Sequence, residues 1–121
     1  MKILPWIFRK LAPIIMVGKE TLLKAWDLIC TARAMASTYE ENRPIAKYVH
    51  STSKGHEAIQ IATAFHLKNI DYAYPYYRDE SMLLAAWMQP YEWMLQLLAK
   101  WDDPFSGVRT YYAQPSLNRP E

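Results

Sequence analysis

The sequence predicts a mainly α-helical chain, and three observations carry that reading. Apolar residues recur at three- and four-residue spacing in four separate stretches. Prolines fall where helices stop or start, at Pro44, Pro90 and Pro104. A single short aromatic-rich run, residues 70–75, has the character of a strand.

Taken in order, the chain divides into an apolar arm over 1–20, a helical body over 21–104 and a loop over 105–121. The arm carries Ile3, Leu4, Trp6, Ile7, Phe8, Leu11, Ile14, Ile15, Met16 and Val17. Pro5, the Arg9-Lys10 pair and Pro13 cut it into pieces. No piece approaches the roughly 20 apolar residues of a membrane span. The continuous apolar core of a secretory signal is also missing. The arm is expected to pack on the body or on a partner, with a surface membrane anchor or a signal peptide as the alternatives.

Thr21 is the candidate cap of a first helix running to about Glu41. Leu22, Leu23, Trp26, Ile29, Cys30 and Ala34 trace its expected apolar stripe. Arg43-Pro44 ends it, because a residue before proline avoids helical angles. Residues 45–54 read as an irregular or extended connection. A second helix opens near Gly55 and is expected to turn Ala58, Ile59, Ala62 and Phe65 inward. His66 and Lys68 place positive charge at its end, where it suits the helix dipole. Asp79 is the candidate N-cap of a third helix carrying Met82, Leu83, Ala86 and Trp87. Pro90 stands at the first position of a fourth, which is expected to bury Trp93, Met94, Leu97, Leu98 and Trp101. Asp102-Asp103-Pro104 stops it, and the remainder shows no periodicity.

Composition narrows the function classes. At 121 residues with 51% hydrophobic and 21% charged residues, the chain can bury a core and is unlike a disordered segment. The formal charge is +2 with no basic run, which argues against nucleic acid. One cysteine, Cys30, rules out an internal disulfide, points to a reducing cytoplasm and reads as a buried inert thiol. Five tryptophans and nine tyrosines exceed what a small core needs and suit an interface as well.

The most informative stretch is Tyr74-Pro75-Tyr76-Tyr77-Arg78-Asp79-Glu80. It sets an aromatic surface, a fixed cation and a helix start within one turn of chain. A guanidinium fork matches phosphate oxygens and a phenol adds a hydrogen bond. From the residues alone two readings stay open for Tyr77 and Arg78. They grip a phosphate-bearing ligand, or Arg78 caps a carbonyl or pairs with Asp79 or Glu80 while Tyr77 packs in the core. His56 reads as structural, Glu57 as serving a helix N-terminus, and His50 as part of a polar loop. The Trp87, Trp93 and Trp101 set reads as covering a core or an interface.

The ordered set Gly55-His56-Glu57-Ala58, Tyr74-Pro75-Tyr76-Tyr77-Arg78-Asp79, Pro90-Tyr91-Glu92, Asp102-Asp103-Pro104-Phe105-Ser106-Gly107 and then Arg109 resembles the alpha subunit of the thiamin-diphosphate-dependent 2-oxo acid dehydrogenase component. The likeness is nearest to the branched-chain, or 2-oxoisovalerate, type. It implies that this chain is the N-terminal part of the α/β thiamin-diphosphate-binding fold, its parallel sheet lying mostly beyond residue 121. It implies oxidative decarboxylation of a branched-chain 2-oxo acid and transfer of the acyl group to a lipoyl arm. Tyr77 and Arg78 become cofactor-binding residues at the diphosphate end, and no catalytic or metal-ligating residue is expected in this chain. A beta subunit, which supplies the activating glutamate, and a lipoyl-bearing acyltransferase become the implied partners.

Departures from the family pattern temper this. Trp87 stands where relatives place a helix-ending glycine, Val108 replaces a glycine, and Gln114 stands where histidine is frequent. Val49 leaves the expected substrate wall smaller, with Tyr48 beside it. The Gly-Asp-Gly motif and the asparagine that hold magnesium and the diphosphate in the family are absent. The chain is therefore expected to bind thiamin diphosphate weakly, to be inactive alone and to self-associate. The alternative is a stand-alone helical interaction module without enzymatic activity, and a membrane-surface protein is a weaker third class.

Overall fold

A computed structural model describes residues 17–47, 52–107 and 109 of the protein. Four helices follow one another: α1 Lys19–Glu41, α2 Glu57–His66, α3 Glu80–Ala86 and α4 Pro90–Leu97. A 3₁₀ turn, Arg43–Ile45, follows α1. No strand occurs among the described residues, so the chain is mainly α as its periodicity predicts. Residues 71–76 carry no assigned element, which corrects the strand reading of 70–75. A strand exists only through a ladder to a neighbouring strand, and residues 72–75 form no such ladder among the described residues.

The start of α1 also differs from expectation. Gly18, and not Thr21, holds the N-cap position. The other end matches: the Asn42 amide side chain and backbone N–H both donate to the Thr38 carbonyl, at 2.8 and 3.1 Å. Pro44 then sits inside the 3₁₀ turn, where its missing N–H costs nothing.

The expected stripe of α1 lies on the wrong face. Ala32, Met35 and Tyr39 are buried, and Leu28 packs against the same core. Leu22, Leu23 and Trp26 are exposed, as are Cys30 and Ala34. The buried-thiol reading of Cys30 is therefore overturned. The reason is length. A helix of 23 residues runs roughly 34 Å, whereas one of ten runs roughly 15 Å. The shorter helices cover part of α1, and the core forms where they lie.

In α2 the inward face is one position away from the expected one. Glu57, Ile61 and Ala64 are buried, while Ala58, Ile59 and Ala62 are exposed and Phe65 is half-buried. The shift follows from Glu57. Its Oε2 accepts the Gly55 N–H at 2.8 Å, and its Oε1 lies 3.6 Å from Arg33 Nε on α1. A buried carboxylate is tolerated when it is hydrogen-bonded and paired, so an acidic residue occupies a core position. Gly55 itself sits at φ +90, a conformation that favours glycine, in the turn leading to α2.

α2 packs most extensively against α3, and α1 contacts both. Leu83 and Leu84 of α3, Met88, and Trp93 and Leu97 of α4 join Ala32, Met35 and Tyr39 in one core. Trp93 is fully buried and its ring lies 6.2 Å from that of Phe105. Phe105 is held there by Asp103, whose carboxylate accepts from the Phe105 and Ser106 backbones and from the Ser106 hydroxyl.

Pro90 opens α4 as expected, and the Gln89 N–H donates to Glu92 Oε2 at 2.7 Å. The helix closes earlier than expected, at Leu97. Lys100 N–H donates to the Leu95 carbonyl and Ala99 N–H to that of Gln96, with Ala99 at φ 51. This is the hydrogen-bond pattern of a helix stop that normally takes glycine. It leaves Trp101 outside the helix and 83% exposed, so its expected burial fails.

Candidate functional site

The turn before α3 is tied down from both ends of its own backbone. Tyr76 N–H donates to Asp79 Oδ2 at 2.8 Å, and Asp79 N–H donates to the Tyr76 carbonyl at 2.9 Å. Asp79 occupies the N-cap position of α3, yet its carboxylate makes no cap bond to the helix. It is turned back to the Tyr76 amide instead, which corrects the expected capping role. From α2, Gln60 Nε2 donates to the Arg78 carbonyl at 3.0 Å and to Asp79 Oδ1 at 3.2 Å. The turn is thus fixed to the helix behind it.

These bonds leave the Arg78 side chain facing solvent. Its Nη2 donates to Tyr77 Oη at 3.1 Å, and the guanidinium carbon lies 5.3 Å from the Tyr77 ring centroid. Among the described residues the ion pairs are Arg33 with Glu57 and Arg43 with Glu40. The alternative in which Arg78 pairs with Asp79 or Glu80 is therefore not what forms, because both carboxylates are engaged elsewhere. The Tyr77 ring is half-buried and packs on the core, 4.1 Å from the Tyr76 ring. The hydrogen bond from Tyr76 first, and that from Arg78 second, hold the Tyr77 phenol below its usual ionisation range. A fixed cation and a polarised hydroxyl thus share one exposed turn.

Glu80 points the other way. It is 1% exposed and accepts from Ser53 N–H at 2.9 Å and Ser53 Oγ at 3.3 Å. The Ser53 and Ser81 hydroxyls are 2.5 Å apart. Tyr39 of α1 completes the node. Burial first, then the charge and hydrogen bond of Glu80, push its phenol well above its usual ionisation range. This node joins α1, the segment entering α2 and the start of α3, immediately behind Arg78. The sequence offered no clear signal for it. Glu80 reads there only as a candidate partner of Arg78, and Tyr39 lies outside the expected stripe.

His56 lies exposed at the N-cap position of α2 and makes no cap bond. Trp87 ends α3 at φ −178, extended backbone that any residue adopts. Its N–H and that of Met88 both donate to the Leu83 carbonyl at 2.9 Å. Tryptophan at this position, where relatives place a helix-ending glycine, therefore carries no left-handed strain. Tyr48, Val49, His50, Val108 and Gln114 lie outside the described residues. Among the described residues no group of three or more His, Cys, Asp or Glu is placed to hold a metal ion, and no helix is long and apolar enough to cross a membrane.

A family model described as dehydrogenase E1 component matches residues 28–118. The chain belongs to the dehydrogenase E1 component family. The match takes in the whole of the Tyr77–Arg78 turn, the buried Glu80 node and the Asp103 loop. The chain is also similar to the 2-oxoisovalerate dehydrogenase subunit alpha of Bacillus subtilis (strain 168), 44% identical over 57 residues. That stretch is 46% of this chain and 17% of the relative. No solved structure matches it. The E1 resemblance read from the spacing of Gly55-His56-Glu57-Ala58 and Tyr76-Tyr77-Arg78-Asp79 is thereby supported independently.

Proposed function

We propose that this E1 chain supplies the diphosphate-facing turn of a thiamin-diphosphate-dependent 2-oxo acid dehydrogenase, acting on a branched-chain 2-oxo acid. The observation that carries the reading is the Tyr77–Arg78 pair. A guanidinium without a carboxylate partner among the described residues lies within hydrogen-bond distance of a phenol on a turn fixed by Asp79 and Gln60. That donor set fits an anionic diphosphate. The Arg78 fork would take phosphate oxygens and Tyr77 Oη would donate a further hydrogen bond. When bound, thiamin diphosphate supplies the electron sink for decarboxylation.

The role of this chain in that chemistry is to hold and orient. Gln60 and Asp79 fix the backbone of the gripping turn, and the Glu80 node ties α3 to α1 behind it. Magnesium ligands, the activating carboxylate and the lipoyl acceptor would come from a beta subunit, an acyltransferase and further E1 sequence. Alone, the chain is proposed to be inactive. A helical interaction module without enzymatic activity is the second reading, favoured by the exposed Leu22, Leu23 and Trp26 on α1.

Titration of the chain with thiamin diphosphate and magnesium, followed by calorimetry and by amide chemical shifts, tests the proposal. Hydrogen bonds from solvent-exposed groups contribute little, so affinity is expected to be no better than roughly millimolar. The shifts are expected to centre on residues 76–79 and to vanish in Arg78→Ala. Shifts centred elsewhere overturn the assignment. Magnesium-dependent binding in the range of roughly micromolar overturns the claim that the chain lacks the rest of the site.

A further inference from the structure

Consecutive residues of the gripping turn and of the first turn of α3 are tied to one neighbour. The Arg78 carbonyl and Asp79 Oδ1 accept from Gln60 Nε2 on α2. Glu80 Oε1 accepts from the Ser53 N–H at 2.9 Å and from Ser53 Oγ at 3.3 Å. Ser81 Oγ lies 2.5 Å from the same Ser53 Oγ. Ser53 and Gln60 belong to a single unit, α2 with its lead-in. The His56 N–H donates to the Ser53 carbonyl at 2.8 Å, and the Gln60 N–H donates to the His56 carbonyl at 3.1 Å. Residues 78–81 are thus clamped by that unit at both ends, Gln60 holding 78 and 79 and Ser53 holding 80 and 81.

At the Ser53 end the proton directions follow from the partners. A carboxylate only accepts, and a hydroxyl has one proton to give. Ser53 gives its proton to Glu80, so the Ser81 hydroxyl donates to Ser53. The Tyr39 phenol, from α1, donates to Glu80 as well. The chain of hydroxyls therefore runs in one sense and ends on Glu80. Ser53, Glu80 and Ser81 are 1%, 1% and 0% exposed. Ala32, Met35, Leu83 and Leu84 already join α1 and α3 through the apolar core. Apolar burial is non-directional, whereas hydrogen bonds require a set distance and angle. What the network adds to that core is a single rotation of the first turn of α3.

We propose that Ser53 is a positioning residue for the anion grip: it seats Glu80 and Ser81 so that Arg78, two residues before Glu80, presents its guanidinium in one orientation. The inference rests on the reading of Tyr77 and Arg78 as the diphosphate-binding pair. Ser53 is buried and acts through Glu80. A guanidinium already held, as Arg78 is by its bond to Tyr77 Oη, loses less freedom when it takes phosphate oxygens. Loosening its base restores that cost. Ordering one side chain corresponds to about two- to tenfold in affinity.

Ser53→Ala tests this. It removes the hydroxyl, and with it the link to Ser81 and one of the two bonds from Ser53 to Glu80, and it keeps the backbone N–H. Ser81→Ala cuts the same chain one step earlier, and it decides the question if Ser53→Ala does not fold. Two readouts are taken on the full chain: side-chain Nε–H relaxation of the arginines without ligand, and amide shifts during titration with thiamin diphosphate. Without ligand, Arg78 is expected to become more mobile on the picosecond-to-nanosecond scale, while Arg43, paired with Glu40 at the end of α1, keeps its wild-type mobility. With ligand, the shifts at 76–79 are expected to remain and binding to weaken by about two- to tenfold. A folded variant that binds as wild type does and leaves Arg78 no more mobile overturns the inference. Equal loosening of Arg43 also overturns it, because the effect is then general. Absence of shifts at 76–79 in the wild-type chain overturns the diphosphate reading instead, and the mobility of Arg78 then still decides whether Ser53 holds the turn.

Discussion

The two halves of α1 carry apolar residues of the same kind and bury them to opposite extents. In the C-terminal half, Ala32, Met35 and Tyr39 are 2%, 4% and 5% exposed. In the N-terminal half, Leu22, Leu23 and Trp26 are 56%, 57% and 62% exposed. Periodicity does not separate them. Coverage does. α3, α4 and the start of α2, where Glu57 meets Arg33, pack on one half. The end of α2 brings Phe65 under Lys24 on the other and leaves Leu22, Leu23 and Trp26 exposed among the described residues. Apolar surface contributes to folding when something removes it from water. Among the described residues the exposed half presents apolar side chains to solvent, while the buried half holds this chain together.

The sharpest way to break that contrast is to remove the centre of the covered half. Trp93→Ala is expected to cost about 3–5 kcal/mol, a large part of the roughly 5–15 kcal/mol typical of a domain. Urea unfolding followed by far-ultraviolet circular dichroism reads the effect. A loss below about 1 kcal/mol would mean that Trp93 is not the centre of the core.

Tyr39 gives the covered half a pH signature. Its folded ionisation lies above the ordinary value of 10.0, so the folded state keeps the proton longer than the unfolded chain. The stability this contributes is fully present below pH 10 and falls as pH rises above it. The slope approaches about 1.4 kcal/mol per pH unit. Tyr39→Phe removes the titrating group. It is expected to lose less stability on going from pH 9 to 11. Unfolding curves at the two alkaline pH values, compared with wild type, decide it.

Ala99 tests the end of the covered region. It holds φ 51 at the close of α4, where an L side chain is strained and glycine is not. Ala99→Gly is expected to stabilise the chain by up to about 1 kcal/mol, the relief of strain exceeding the added flexibility of the unfolded state. A thermal melt with a raised midpoint supports this, and destabilisation contradicts the assigned conformation.

Trp26→Ala is the smallest change and sharpens the contrast most. A tryptophan in a covered position would cost several kcal/mol when truncated. On the open half of α1 the change is expected to fall within about 0.5 kcal/mol. A cost comparable to that of Trp93→Ala would show that something in the folded chain covers this face.

The sequence by itself determined the helical class and the family. Pro44 and Pro90 punctuate helices because proline restricts its own and its neighbour's backbone angles wherever the chain goes. The order Gly55-His56-Glu57-Ala58, Tyr76-Tyr77-Arg78-Asp79 and Asp102-Asp103-Pro104 carried the E1 resemblance, because local motifs keep their spacing. Facing was decided only by the tertiary structure. Which stripe of α1 is buried depends on where shorter helices land, and Cys30 and Trp26 were misread for that reason. Glu57 and Glu80 are buried because partners distant in sequence, Arg33 and Ser53, come to meet them. Asp79 turns from capping to bracing for a similar reason. Its carboxylate has two sets of donors to choose from, and Gln60 on another helix favours one of them. Burial and hydrogen-bond choice are properties of neighbours in space, which spacing along one chain does not encode.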